Sequence, residues 1–126
     1  MTRGVPFRSA GAAGQATVEL ALALPVVVLA LLAVVQTAVL VRDRVAVEHA
    51  AHAAARSASV ERDPAAARAV AHRVLPGSEV DVDARPPVGE PIGVDVRYRS
   101  QTRLPLVGAL FPDPEFHARA VMRVER

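Results

Sequence analysis

From residue 20 to residue 41 the chain carries no charged side chain, and only Gln36 and Thr37 break a run of Ala, Val, Leu and one Pro. At about 1.5 Å per residue a helix of that length crosses a bilayer core of about 30 Å, so the pattern predicts a transmembrane helix. A soluble helix that is apolar on every side needs protein all around it, and only about 80 residues are left to provide it. Pro25 removes one backbone donor inside the run and favours a bend, which membrane helices tolerate better than soluble ones. Arg42, Asp43 and Arg44 end the run with charge.

Beyond it, residues 41–63 contain no Gly or Pro and are rich in Ala, so the helix is predicted to continue into water. At helical spacing Ala46, Ala50, Ala53 and Ser57 share one face, with Glu48, His52, Arg56 and Ser59 opposite. Small side chains on the first face permit close approach to a sheet or to a neighbouring subunit. Asp63 followed by Pro64 is a helix start, a capping carboxylate ahead of a residue suited to the first turn. The second helix runs to Leu75, and Pro76 and Gly77 stop it.

From there the period drops to two. Val80, Val82 and Ala84 alternate with polar residues, as do Ile92, Val94, Val96 and Tyr98, and then Ala118, Ala120, Met122 and Val124. These predict three strands. The stretch RPPVGEP has the length of a hairpin connection, and the longer TRLPLVGALFPDPEF reads as a loop that covers an edge or packs on the sheet. The predicted fold class is α+β: a long N-terminal transmembrane helix extended into a stalk, a short second helix, and a three-stranded antiparallel sheet. The segments are 1–14, a leader; 15–41, the membrane helix; 42–62, the stalk; and 63–126, a small extracytoplasmic domain.

Composition narrows the chemistry. The absence of Cys rules out disulfides and thiolate metal sites. A sequence pI near 10.3 suggests nucleic acid, but the formal net charge is only +2, Trp is absent and Tyr98 is the only Tyr, so base-stacking platforms are missing. His49 and His52 stand one turn apart without the Glu that a zincin helix needs, and no third ligand follows from spacing; solvated histidines on a helix face are expected. Glu79, Asp81 and Asp83 alternate along a strand, as an exposed polar face does, better than as calcium ligands. Neither a Gly-rich phosphate loop nor a nucleophile elbow occurs, so no enzyme activity, no cofactor, no metal and no small-molecule substrate is expected.

The N-terminal stretch MTRGVPFRSAGAAG carries Arg3 and Arg8 and no acid, which suits the positive region of a secretory signal. Against a signal peptide, the apolar run is long and ends in QTAVLVRDR instead of a small-residue cleavage site. Basic residues flank the run on both sides, and the balance leans toward an N-terminus inside the cell.

Glu19 stands directly before the apolar run, five positions after Gly14. This Gly-x-x-x-x-Glu spacing ahead of a membrane helix resembles the processing site of type IV prepilins and pseudopilins, where a membrane aspartic peptidase cuts after the Gly. The stretch from Gly14 to Ala58 is similar to the TadE family of pseudopilins, of the tight-adherence (Tad) or Flp pilus systems, and residues 104–125 resemble its actinobacterial members. Leu20 stands where Flp-type major pilins usually carry an aromatic, which implies a minor component.

The resemblance implies that Gly14 ends the leader, Gln15 becomes the new N-terminus, and Glu19 serves assembly. It also implies a prepilin peptidase and other Tad or Flp pilus subunits and pseudopilins as partners, a role in adhesion or secretion, and an N-terminus in the cytoplasm with the C-terminal domain across the cell membrane. Losing residues 1–14 would remove Arg3 and Arg8 and leave the side chains formally neutral. The rival expectation is a binding module, either secreted or anchored by the helix alone.

Overall fold

A computed structural model describes residues 10–101 and 113–125. In it one helix, α1, spans Ala10–Val60 without interruption and holds Pro25 in its interior. A shorter helix, α2, covers Pro64–Val74, and three strands follow: β1, Glu79–Val82; β2, Pro91–Arg99; β3, Glu115–Arg123. They form an antiparallel sheet in the order β1-β2-β3. The fold is α+β, as the change of period predicts. Residues 1–9, most of the expected leader, and residues 102–112, most of the expected long loop, lie outside the described residues.

The chain divides into two compact units between Val35 and Gln36. In the first, every described side chain from Gly14 to Leu31 is exposed, and nearly all of those beyond Glu19 are apolar. Soluble monomers do not leave so much contiguous apolar surface to water. The helix is long and apolar enough to cross a membrane.

The second unit has a core built where small side chains let a helix lie close on a sheet. Val47, Ala50, Ala51, Ala54, Ala55 and Ala58 of α1 are buried against Ala67 and Ala71 of α2 and against Ile92, Val94, Val96 and Ala120 of the sheet. The buried stripe is rotated by about one position from the face expected at Ala46, Ala50, Ala53 and Ser57. Ala46, Ala53 and Ser57 are only half-buried, whereas Ser59, expected on the solvated face, is buried. It satisfies itself locally, its hydroxyl donating to the Arg56 carbonyl at 2.8 Å. Glu48, His52 and Arg56 face water as expected.

The start of α2 follows its sequence signal. The Asp63 carboxylate accepts from the Ala65 N–H at 2.8 Å, and Pro64 occupies the first turn. After Leu75 the chain turns at Gly77, whose φ of +82° favours glycine.

Strand β1 ends at Val82, and Ala84, expected to extend it, is exposed. The Asp83 N–H still donates to the Gly93 carbonyl of β2 at 3.0 Å, and two residues later Arg85 reaches the end of α1. Its guanidinium donates to the carbonyls of Ala58 at 2.7 Å, Glu61 at 2.6 Å and Ser59 at 3.3 Å. The last turn of α1 carries no basic residue, so a distant arginine supplies both the donors and the positive charge that a helix C-terminus lacks. At the other end of the sheet, the buried Ser100 hydroxyl donates to the Asp43 carboxylate of α1, and the Ser100 N–H donates to the Pro114 carbonyl at 3.0 Å.

Candidate functional site

Gly14, Gln15 and Glu19 all lie on α1, within the first unit, and all are exposed. Glycine inside a helix costs roughly 0.5–1 kcal/mol relative to alanine. Packing does not explain it, since a Cβ built at Gly14 meets nothing within 4 Å. The Thr17 hydroxyl donates to the Gly14 carbonyl at 2.8 Å, a local bond that any residue at position 14 would permit. The fold therefore has no need of a glycine at this position.

Glu19 lies about 7.5 Å farther along the helix axis than Gly14, and the four-residue step from Gln15 puts those two side chains on one face. Among the described residues no ion pair involves Glu19, although a carboxylate beside an apolar layer is costly without a cation. The arrangement thus places an exposed glycine and an unpaired acid one behind the other at the mouth of the apolar run. These three residues include no pair of nucleophile and base.

A second concentration of polar groups covers the outward face of the sheet. Arg119 of β3 reaches Asp95, its register partner on β2, and also Asp83 at 2.6 Å. It crosses above Gly93, where a Cβ would lie 2.6 Å from both the Arg119 Nη2 and the Asp83 Oδ2. The missing side chain is what lets one guanidinium serve two strands. His117 Nε2 adds a contact with the Asp95 Oδ1 at 2.9 Å. Burial pushes the Asp95 carboxyl up, but the hydrogen bond to His117 and the charge and hydrogen bond of Arg119 outweigh it and hold the group below the ordinary 3.8.

This network ties β2 and β3 to Asp83, the residue that follows β1, and has the character of a structural brace. Glu79, Asp81 and Asp83 are all exposed, as their alternation predicts, and Asp83 in addition takes part in the brace. Gly93, alone between Ile92 and Val94 in a strand pattern, was the available signal of a close approach. His49 and His52 are exposed, and no group of three or more His, Asp or Glu among the described residues is placed to hold a metal ion.

Comparison with protein families matches residues 14–56 to the family described as TadE-like protein. The match lies wholly within α1 and opens on Gly14 itself. No curated protein and no solved structure matches the chain.

Proposed function

We propose, from the match of residues 14–56 to the TadE-like family, that the chain is a minor pseudopilin: a single-pass membrane subunit, cut after Gly14 by a prepilin peptidase, that takes part in assembling a Tad or Flp pilus or a related secretion filament. The observation that carries this proposal is Gly14. It is the first residue of the family match and a glycine that the helix does not need, and five positions later comes an acid with no ion-pair partner among the described residues. A protease that reads a side-chain-free position gives that glycine a reason.

In this proposal the chain is a substrate and a structural part, not an enzyme. Its working surfaces are the N-terminal helix, which meets other subunits, and the sheet domain on the extracytoplasmic side. Cleavage would create an amine at Gln15, about one helical turn from Glu19, on the same chain or presented to a neighbour. That amine is the cation Glu19 lacks, and their pairing fixes the axial register between subunits.

Glu19→Gln removes the charge and keeps the shape. Membrane insertion and cleavage are expected to stay at wild-type levels, while co-purification with pilus subunits falls by about tenfold, the equivalent of about 1.4 kcal/mol. Wild-type co-purification would reduce Glu19 to a marker of the helix boundary. For orientation, the absence of native Cys makes single cysteines informative. In an uncleaved Gly14→Val background, which keeps residue 9 on the chain, an impermeant thiol reagent on intact cells is expected to label a cysteine at Val88, which is exposed, and to miss one at Ser9; the reverse pattern would invert the topology.

A further inference from the structure

Residues 36–41, the last of the uncharged run, belong to the same compact unit as the sheet, and they form one wall of a cleft of about 620 Å³. Gln36, Val39 and Arg42 line it from α1, and Tyr98, Arg99 and Gln101 line it from the end of β2. The cleft therefore straddles the point at which the chain turns from apolar to charged. From Gln36 to Arg42 the helix rises about 9 Å, close to the 5–8 Å of one headgroup layer.

The charged groups of this cleft are two cations, Arg42 and Arg99, and one acid, Asp43. Arg42 has no ion-pair partner among the described residues, and Arg99 meets Glu115 only at 3.5 Å, with both side chains more than half exposed. An ion pair of that kind is weak and readily exchanged. Asp43, the acid in the lining, accepts from the Ser100 hydroxyl and keeps its charge, so two cations against one acid leave the lining net positive. Two guanidinium groups, with a tyrosine beside them and apolar Val39 and Leu75 in the same lining, match an anion that is joined to hydrocarbon. A tyrosine also has its preferred place at this level of a bilayer.

We infer that this cleft binds the phosphate of a phospholipid headgroup in the leaflet bordering the domain. Arg42 and Arg99 supply the donors to the phosphate oxygens, Tyr98 stands at the headgroup level, and Val39 faces the first acyl carbons. Bound lipid holds the sheet domain against the membrane surface while the subunit waits in the bilayer. The inference rests on the apolar run spanning a membrane and does not depend on cleavage after Gly14.

Tyr98 is the only Tyr and Trp is absent, so intrinsic tyrosine fluorescence reports this cleft alone. The full chain is reconstituted in phosphatidylcholine vesicles that carry a nitroxide either on the headgroup or near the bilayer centre. The headgroup probe is expected to quench Tyr98 at least about twofold more than the deep probe. Phosphatidylglycerol without a label is expected to relieve that quenching, and millimolar inorganic phosphate to leave it unchanged.

Arg42→Gln with Arg99→Gln is expected to abolish the relief by phosphatidylglycerol, and Arg42→Lys with Arg99→Lys to keep most of it. The lysine pair shows that any loss is one of charge and not of folding. Equal quenching at both depths, relief that survives the glutamine pair, or displacement by free phosphate would each overturn the inference. A chain that is cut after Gly14 and co-purifies with pilus subunits, yet shows one of these results, would sink the lipid site and leave the proposed function standing.

Discussion

Gly14→Val is expected to keep the chain at full length in membranes that contain its peptidase, with cleavage reduced at least about a hundredfold, or about 2.8 kcal/mol at the cutting step. The substitution is well suited to separate processing from folding. Open space surrounds the position, and valine is no worse a helix former than glycine, so α1 and its insertion should be intact. What changes is a branched side chain at the residue whose carbonyl the peptidase would attack. Immunoblotting of membranes for the two chain lengths checks the result, and uncleaved Gly14→Val should also be lost from pilus assemblies. Cleavage at the wild-type rate would mean that the glycine is not read by a peptidase.

Arg85→Ala should have the largest effect on the folded unit. The carbonyls of Ala58 and Ser59 in the last turn of α1 and of Glu61 just past it lose a charged donor at once, and of these Ser59 keeps the Glu125 N–H at 3.0 Å. Hydrogen bonds to charged groups contribute about 1.5–3 kcal/mol each in favourable cases, but water can reach this helix end, so a total loss of about 2 kcal/mol is expected. For a unit of this size that corresponds to a fall of roughly 8–16 °C in melting temperature. Arg85→Lys should recover less than half, because an ammonium cannot spread its donors over three carbonyls as the planar fork does. Hydrogen exchange on the full chain in micelles gives the check, with lost protection in the last turn of α1 and in residues 83–90. Unchanged protection in both segments would show that water replaces the arginine without cost.

These two residues also mark what a linear sequence discloses. The placement of Gly14 and Glu19 at the start of the apolar helix was legible, and their proposed roles rest on that short spacing, which helix geometry carries directly into space. The same holds for Asp63 and Pro64, whose capping role needs only the two residues that follow, and for the alternation of Ile92, Val94 and Val96 on the buried face of β2. Arg85 was not legible. Its acceptors stand 24 to 27 positions earlier in the chain, and only the packing of the β1–β2 connection against α1 brings them within reach.

Arg119 escaped notice for a related reason: its bridge to Asp83 depends on a glycine in the strand between them. The rotated stripe on α1 has a simpler cause. A face of small residues admits several helix rotations of similar hydrophobicity, and the sheet selects the one that seats Val47, Ala51 and Ala55. The cleft at Arg42 and Arg99 draws on separate elements, so no single stretch of sequence could announce it.

The account turns on whether the N-terminal residues are removed at one bond. Tandem mass spectrometry of the intact wild-type chain, purified from the membranes of a cell that carries the matching peptidase, reads this directly. The expected product begins at Gln15 and keeps the whole apolar run. A chain still beginning with the leader would instead fit a plain membrane anchor, and one beginning within residues 36–44 would make the apolar run a signal peptide; either result would contradict the pseudopilin proposal.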